Sequence, residues 1–395
     1  MAFDPELATR AYMATLGGAA RAKSDGYFEG GYWLLLWGAV IAVASNWLIL
    51  DRGWAARLSG WAGRVTGGRK WLQSFVFFVP FMLLSALVTL PWDIYTGFFR
   101  EHQYGLSNQS FGQWTGDDLK GLLIGAIAGG LVFMAIHAVV RRLPRSWWVA
   151  GAAIGVAGMT VAIALGPVFI EPLFNTYTPM TASPLRDRVL SMARANGVPA
   201  TNVFVVDASR QTSRISANVA GLFGTTRVAL NDNLLKQPAD EVRAVLGHEI
   251  GHYALGHVFS TIVQFAMLIA FVFWLVARTV PMLLVRFGDR WGVTDVGNPA
   301  VLPVALIVIA IVGLVLTPVL NTIIRTQEMQ ADRFGLNAAR APDAFARTAM
   351  KLSQYRKIEP GPIEEAVFFD HPSGHTRVLT AMQWKAEHLG EPDVR

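Results

Sequence analysis

Apolar positions along the chain gather into runs longer than a soluble core uses. A membrane-spanning helix needs about 20 mostly apolar residues. Six stretches meet that length: 31–50 (GYWLLLWGAVIAVASNWLIL), 72–91 (LQSFVFFVPFMLLSALVTLP), 119–140, 147–170, 259–284 and 300–324. Trp33, Trp47, Trp71, Trp92, Trp147 and Trp148 stand near their ends, where amphipathic rings settle at the membrane–water boundary. The third and fourth runs are rich in glycine (LLIGAIAGGLVF, AGAAIGVAGM), which suits close helix packing.

Two polar regions interrupt the runs. In the first, SPLRDRVLSMARANGVPA reads as a helix closed by Asn196-Gly197. NVFVVDAS and TTRVALNDNLL then alternate as strands between turn residues. A helix, ADEVRAVLGHEIGHYALGH, follows, with Asp240 as its expected N-cap. The second polar region reads as mostly helical. The expected division is a membrane region over 1–170 with four spans, a first polar part over 171–258, two further spans over 259–324, and a second polar part over 325–395. The polar parts flank the fifth and sixth spans, so one lobe is expected from both. The fold class is a mainly α-helical integral membrane protein with six transmembrane helices and a small sheet-plus-helix domain.

Composition supports this. Of 395 residues, 53% are hydrophobic and 16% charged, whereas soluble domains carry nearer a quarter charged. The opening MAFDPELATR holds Asp4 and Glu6 and no apolar core, so no cleavable signal peptide is expected. Cysteine is absent, which excludes disulfides, thiolate metal sites and a cysteine nucleophile and leaves any metal to His, Asp and Glu. The net charge of +6 comes from cations scattered at span ends and along polar segments. That pattern fits the lipid bilayer and its anionic headgroups rather than nucleic acid.

The chemistry concentrates in HEIGHYALGH (248–257). Four residues apart on a helix, His248 and His252 share a face and can hold one Zn2+ ion, with Glu249 beside the water it activates. The third ligand lies outside the motif. The long metzincin pattern places glycine three and histidine six residues after the second ligand, but Gly256 and His257 come at four and five. Glu328, in RTQEMQADRFG, is the better candidate, because a carboxylate from a second helix completes a His₂Glu site. Asp332 shares its helical face and can accept the free N–H of a ligating histidine. The alternatives are a solvated charge for Glu328 and an arginine ion pair for Asp332.

With these residues in view, the chain resembles the type I CAAX prenyl endopeptidase family of integral-membrane zinc metalloproteases, related to HtpX-type proteases. The matching stretches are LPWDIYTGFFREHQYGLSNQS (90–110), IEPLFNTYTPM (170–180), NVFVVDASRQTSRISANVAG (202–221), AVLGHEIGHYALGH (244–257), EMQADRFG (328–335) and DHPSGHTR (370–377). The resemblance implies zinc on His248, His252 and Glu328, a gluzincin-like domain, Glu249 as general base and Asp332 behind the ligands. It also implies that Asn218 and His371 line the cleft, holding the substrate backbone and the oxyanion. An imidazole N–H can serve an oxyanion; otherwise His371 is a surface residue before Pro372, and Asn218 a turn residue beside Gly221. Arg377 either binds acidic groups or braces the helix it begins. Three features depart from the family: six spans where eukaryotic members have seven, RISANV before the asparagine position, and HPS where the family has HPP.

The expected function is zinc-dependent hydrolysis of peptide or membrane-associated protein substrates. A quality-control protease of HtpX type and a non-catalytic zinc-containing scaffold are the alternatives. A zinc transporter would need ionisable ligands inside the spans, which are almost free of carboxylates. The resemblance implies helices enclosing a polar chamber, and an active site on the cytoplasmic side of a bacterial inner membrane. Arg52, Arg57, Arg64, Arg69, Lys70, Arg141, Arg142, Arg145, Arg286 and Arg290 crowd the opposite connections, and the positive-inside rule would put that end in the cytoplasm instead.

Overall fold

The computed structural model describes residues 3–220, 226–391 and 394. Gly221 and Thr225, expected in a turn and at a strand start, lie outside them. The first half of the chain is helical: α1 (Pro5–Met13), α2 (Gly18–Asp51), α3 (Trp54–Val65), α4 (Lys70–Ile94), α5 (Arg100–Gln103), α6 (Phe111–Arg142) and α7 (Trp147–Leu165). A π-helical turn at Tyr95–Phe99 joins α4 to α5. A short mixed region follows, with β1 (Tyr177–Pro179), α8 (Pro184–Ala195), β2 (Val203–Val206), β3 (Ala217–Ala220) and β4 (Arg227–Asn231). The rest comprises α9 (Ala239–Ala254), α10 (His257–Trp291), α11 (Leu302–Ala339), α12 (Pro342–Leu352), α13 (Pro362–Phe368) and α14 (Gly374–Glu387).

Six of these helical stretches are long and apolar enough to cross a membrane, as the apolar runs predict, but they overshoot the runs. The fifth starts at His257 and the sixth runs unbroken to Ala339. The sixth span and the EMQADRFG stretch are therefore one helix. Little of the most apolar 18-residue window of each span is buried within the protein, at most 33%; in α7 and α10 the buried residues lie outside that window. The arginine-rich segment after α2, read as a plain connection, carries α3, whose Ala55 and Ala62 pack in a core with Ile49, Phe77, Trp291 and Val304.

The sheet runs β1-β2-β4-β3, with β2 parallel to β4 and both outer pairs antiparallel. The alternation of NVFVV and RVALN yields β2 and β4 where the sequence predicts them; β1 and β3 are too short to announce themselves. A core of Val189, Val203, Val228, Leu230, Leu246 and Ile250 joins α8 and the sheet to α9. Ser183 caps α8 by accepting from the Arg186 N–H, and Gly197, at φ +79°, makes the turn after it. Asp240 is not the N-cap of α9: that position is Pro238, and Asp240 sits in the first turn, where its charge still favours the helix N-terminus. A third core unites Met13 and Leu16 near α1 with Phe345, Val378 and Met382. The chain's beginning and end thus build one lobe.

Candidate metal centre

Three glycines bring the two halves of the site together. A Cβ at Gly247 would lie 2.9 Å from the Gly335 carbonyl oxygen, one at Gly251 3.1 Å from the Ala331 Cα, and one at Gly335 2.8 Å from the His248 nitrogen. Backbone contact of this kind needs residues without side chains. It sets α9 directly on α11, so His248 and His252 face Glu328.

One ligand atom from each of these three residues lies within 4.8 Å of the others. The Nε2 atoms of His248 and His252 are 3.1 Å apart. Glu328 Oε2 is 3.2 Å from His248 Nε2, and its Oε1 is 3.4 Å from His252 Nε2. Glu328 is 8% exposed and His248 9%.

The surrounding hydrogen bonds fix which nitrogens carry protons. His248 Nδ1–H donates to Asp332 Oδ1 at 2.8 Å, so Nε2 is the nitrogen that turns to a metal once its proton leaves. His257 donates from Nε2 to Gln330 Oε1 at 3.0 Å. Its bare Nδ1 then accepts from His252 Nδ1–H at 2.9 Å, which leaves His252 Nε2 bare as well. Glu328 Oε2 is buried without a hydrogen-bond partner among the described residues. Two imidazole Nε2 atoms and an unsatisfied carboxylate oxygen gather in one cluster. That donor set fits a divalent cation with nitrogen and oxygen ligands. Electrostatics agree: burial opposes charge on His248, yet Asp332 and Glu328 outweigh it and raise its pKa to about 10. The site demands positive charge, from a proton or from a metal.

Asp332 is itself held. Arg377, from the first turn of α14, donates to it from Nε at 2.9 Å and again from Nη2; Asp332 is 2% exposed and Arg377 7%. The arginine partner thus coexists with the bond to His248, and Arg377 serves the site rather than only its own helix.

Glu249 follows His248 on α9 and lines a cavity of about 210 Å³ with His248, Glu328, His371 and Arg377. Burial pushes its carboxyl above the ordinary range, against the pull of both histidines. His371 points Nε2 at Glu328 Oε2 over 3.2 Å and donates from Nδ1 to Asp370 at 2.9 Å. Burial draws its pKa below the usual value despite Asp370. Its approach is fixed from α11, where Asn321 donates to the Val367 carbonyl and Arg325 to that of Glu365, both at 2.8 Å. Ile215, Ser216 and Ala217 line the cavity beside β3. Asn218 sits one residue beyond, outside that lining, with Oδ1 buried and unpartnered among the described residues.

Sequence reasoning missed Arg377's partner, the His257–Gln330 relay, Asp370 and the glycine crossing. Only the last left a mark, as the i, i+4 spacing of Gly247 and Gly251 on a helix face.

A membrane-embedded helical scaffold whose lobe carries a His-His-Glu cluster beside a buried glutamate defines a membrane metalloprotease. The model of peptidase family M48 matches residues 179–385, a little over half the chain. A second model, the CAAX prenyl protease N-terminal region with five membrane helices, matches 19–176, where the described residues hold four long apolar helices. The chain is 29% identical over 313 residues to a CAAX prenyl protease 1 homologue of Oryza sativa subsp. japonica, covering 76% of this chain and 71% of that one. It is 27% identical over 334 residues to CAAX prenyl protease 1 of Saccharomyces cerevisiae, with 80% and 73% covered. An uncharacterised metalloprotease, YhfN, of Bacillus subtilis is 25% identical over 315 residues, with 79% and 74% covered. The crystal structure of S. mikatae Ste24p shares the fold at a TM-score of 0.75 and 21% identity, covering 96% of this chain and 94% of that one. The chain belongs to peptidase family M48 and, within it, to the type I CAAX prenyl proteases, as an integral membrane metalloprotease.

Proposed function

We propose that this protein is a zinc-dependent endopeptidase that cuts peptide or membrane-associated protein substrates at the bilayer surface, with His248, His252 and Glu328 holding the ion. The observation that carries this reading is the convergence of the His248 and His252 Nε2 atoms, 3.1 Å apart, on the buried Glu328 carboxylate, each within 3.4 Å of one of its two oxygens, next to Glu249. When bound, zinc supplies Lewis acidity toward a peptide carbonyl and acidifies water at the site.

The chain's own residues do the rest. Glu249 takes the proton from the attacking water, a task helped by the raised affinity for protons that its burial confers. Asp332, braced by Arg377, keeps His248 in the ligating tautomer. His371 holds Asp370 through Nδ1–H, which stabilises its imidazolium form; with a proton taken from bulk solvent at Nε2 before the attack, that N–H donates to the oxyanion. β3 is an edge strand, so an extended peptide can pair along it, with Asn218 Oδ1 ready to accept from a backbone N–H.

An apolar groove between α2 and α11, of about 460 Å³, supports a membrane-associated substrate. Its walls at Tyr32, Leu35, Thr317 and Phe368 are shared with a more polar cavity that meets the active cleft at Tyr355 and Arg356. We place the protein in a bacterial inner membrane with the lobe in the cytoplasm.

Glu249→Gln tests the mechanism. In proteoliposomes it is expected to keep one zinc per chain while cleavage of a quenched-fluorescent peptide library falls at least about 100-fold. Unchanged cleavage would sink the assignment.

A further inference from the structure

Four arginines line the active cleft or the cavity that opens from it, and three have fixed partners. Arg377 is bound to Asp332, Arg214 to Glu101 at 2.8 Å and to the Tyr27 hydroxyl at 2.9 Å, and Arg100 to the Tyr27 carbonyl. Arg356 differs. It lines both cavities, with Tyr355 beside it, yet among the described residues its guanidinium makes no hydrogen bond and no ion pair. The two carboxylates whose charge acts on it, Asp370 and Glu328, are committed: Asp370 holds His371, and Glu328 faces His248 and His252.

The backbone carrying Arg356 is anchored on all sides. The Ser24 hydroxyl, on α2, reaches the carbonyls of Ser353 and Arg356 at 2.5 and 3.2 Å. Lys357 pairs with Glu29 at 2.7 Å and with Glu364 at 2.8 Å. Ile358 is fully buried, and its carbonyl accepts from the His375 N–H at 2.9 Å. A cation carried on backbone anchored this firmly, lining the cleft and left without an anion among the described residues, is arranged for an anion that arrives. A guanidinium there matches a carboxylate in two-pronged geometry.

We propose that Arg356 binds a carboxylate of the peptide substrate beside the scissile bond and makes the enzyme selective for acidic peptides. The carboxylate is either the free C-terminus or an Asp or Glu side chain. The assignment rests on the endopeptidase reading above and concerns only which substrates that site prefers.

The test uses full-length, zinc-loaded protein in proteoliposomes and a quenched-fluorescent peptide that it cleaves, made in three matched forms: free C-terminus, C-terminal amide, and amide carrying one internal Glu in place of Gln. Wild type is expected to favour an acidic form over the plain amide by about tenfold or more in kcat/KM. Which acidic form wins identifies the source of the carboxylate. Arg356→Gln should bring that ratio close to one, and Arg356→Lys, which keeps the charge but loses the fork, to an intermediate value. Anisotropy with the same peptides in a Glu249→Gln background reads the preference without turnover and should change in parallel. A wild-type ratio near one, or a ratio that Arg356→Gln leaves intact, overturns the proposal. Preferential binding without cleavage would instead count against the endopeptidase reading and leave the carboxylate site standing.

Discussion

Asp332 shows how much one carboxylate decides at the residue scale. It accepts from His248 Nδ1 and from Arg377, both in a buried setting. Replacing it with asparagine keeps the shape but removes the charge that fixes the tautomer and balances the guanidinium. Asp332→Asn is expected to weaken metal binding about 10- to 100-fold, measured by chelator competition on folded protein. The same measurement carries a pH signature. Because His248 holds its proton up to a pKa of about 10, a metal ion must displace a proton below that value. Apparent affinity should therefore rise about tenfold per unit between pH 7 and 9. In Asp332→Asn the raising carboxylate is gone, so the curve should flatten at lower pH. Affinity independent of pH above 7 in wild type would contradict this. His248, His252 and Glu249 were readable from HEIGH alone because one helical turn enforces their geometry. Arg377 was not, because its partner lies 45 residues away and nothing local marks the pair.

Among the elements, the crossing of α9 over α11 does the assembling. Both helices could form anywhere; they create a site only because Gly247, Gly251 and Gly335 let their backbones touch. A methyl at Gly335 would meet the His248 backbone, not a side chain able to rotate away. Gly335→Ala is expected to cost about 1–3 kcal/mol and to lower metal content and cleavage together, as ligands on separate helices part. Gly125→Ala, on α6 with nothing within 4 Å of the added methyl, serves as the control and should be neutral or slightly stabilising. Metal analysis and thermal unfolding of the two variants in parallel decide the point. The helices were legible from periodicity and length. Their contact was not, since a glycine on a helix face reads equally as a weak helix former. The missed strands β1 and β3 have a similar cause: three or four residues hold too little alternation, and each exists through its pairing with a longer neighbour.

At the scale of the whole molecule, six long apolar helices return the chain to the side on which it began, and α1 and α14 meet in one core. The N-terminus and the lobe therefore share a face of the membrane. Which face divides two physical signals: arginines crowd the opposite end, while we place the lobe in the cytoplasm. The chain has no cysteine, so a single introduced thiol reports alone. In intact cells Val65→Cys, exposed at the end of α3, is expected to react with an impermeant maleimide, and Gln354→Cys, exposed on the lobe, only after permeabilisation. The reverse pattern would show that the arginine bias governs insertion. Part of that bias has another use here, since Arg290 pairs with Asp51 between α10 and α2.

By itself the sequence determined that the chain has runs long enough to cross a membrane and that its polar segments carry a two-histidine motif, and its spacing pointed to Glu328 rather than His257 as the third candidate ligand. Each of these follows from local rules, namely the length of an apolar run and the pitch of a helix. Tertiary structure alone decided that one unbroken helix, α11, carries both the sixth apolar run and Glu328 and Asp332, that glycines seat it against the histidines, and that Arg377 holds Asp332 while Arg356 has no hydrogen bond or ion pair among the described residues. Those facts depend on contacts between residues far apart in the chain, and local sequence patterns do not record which distant groups a given side chain will find.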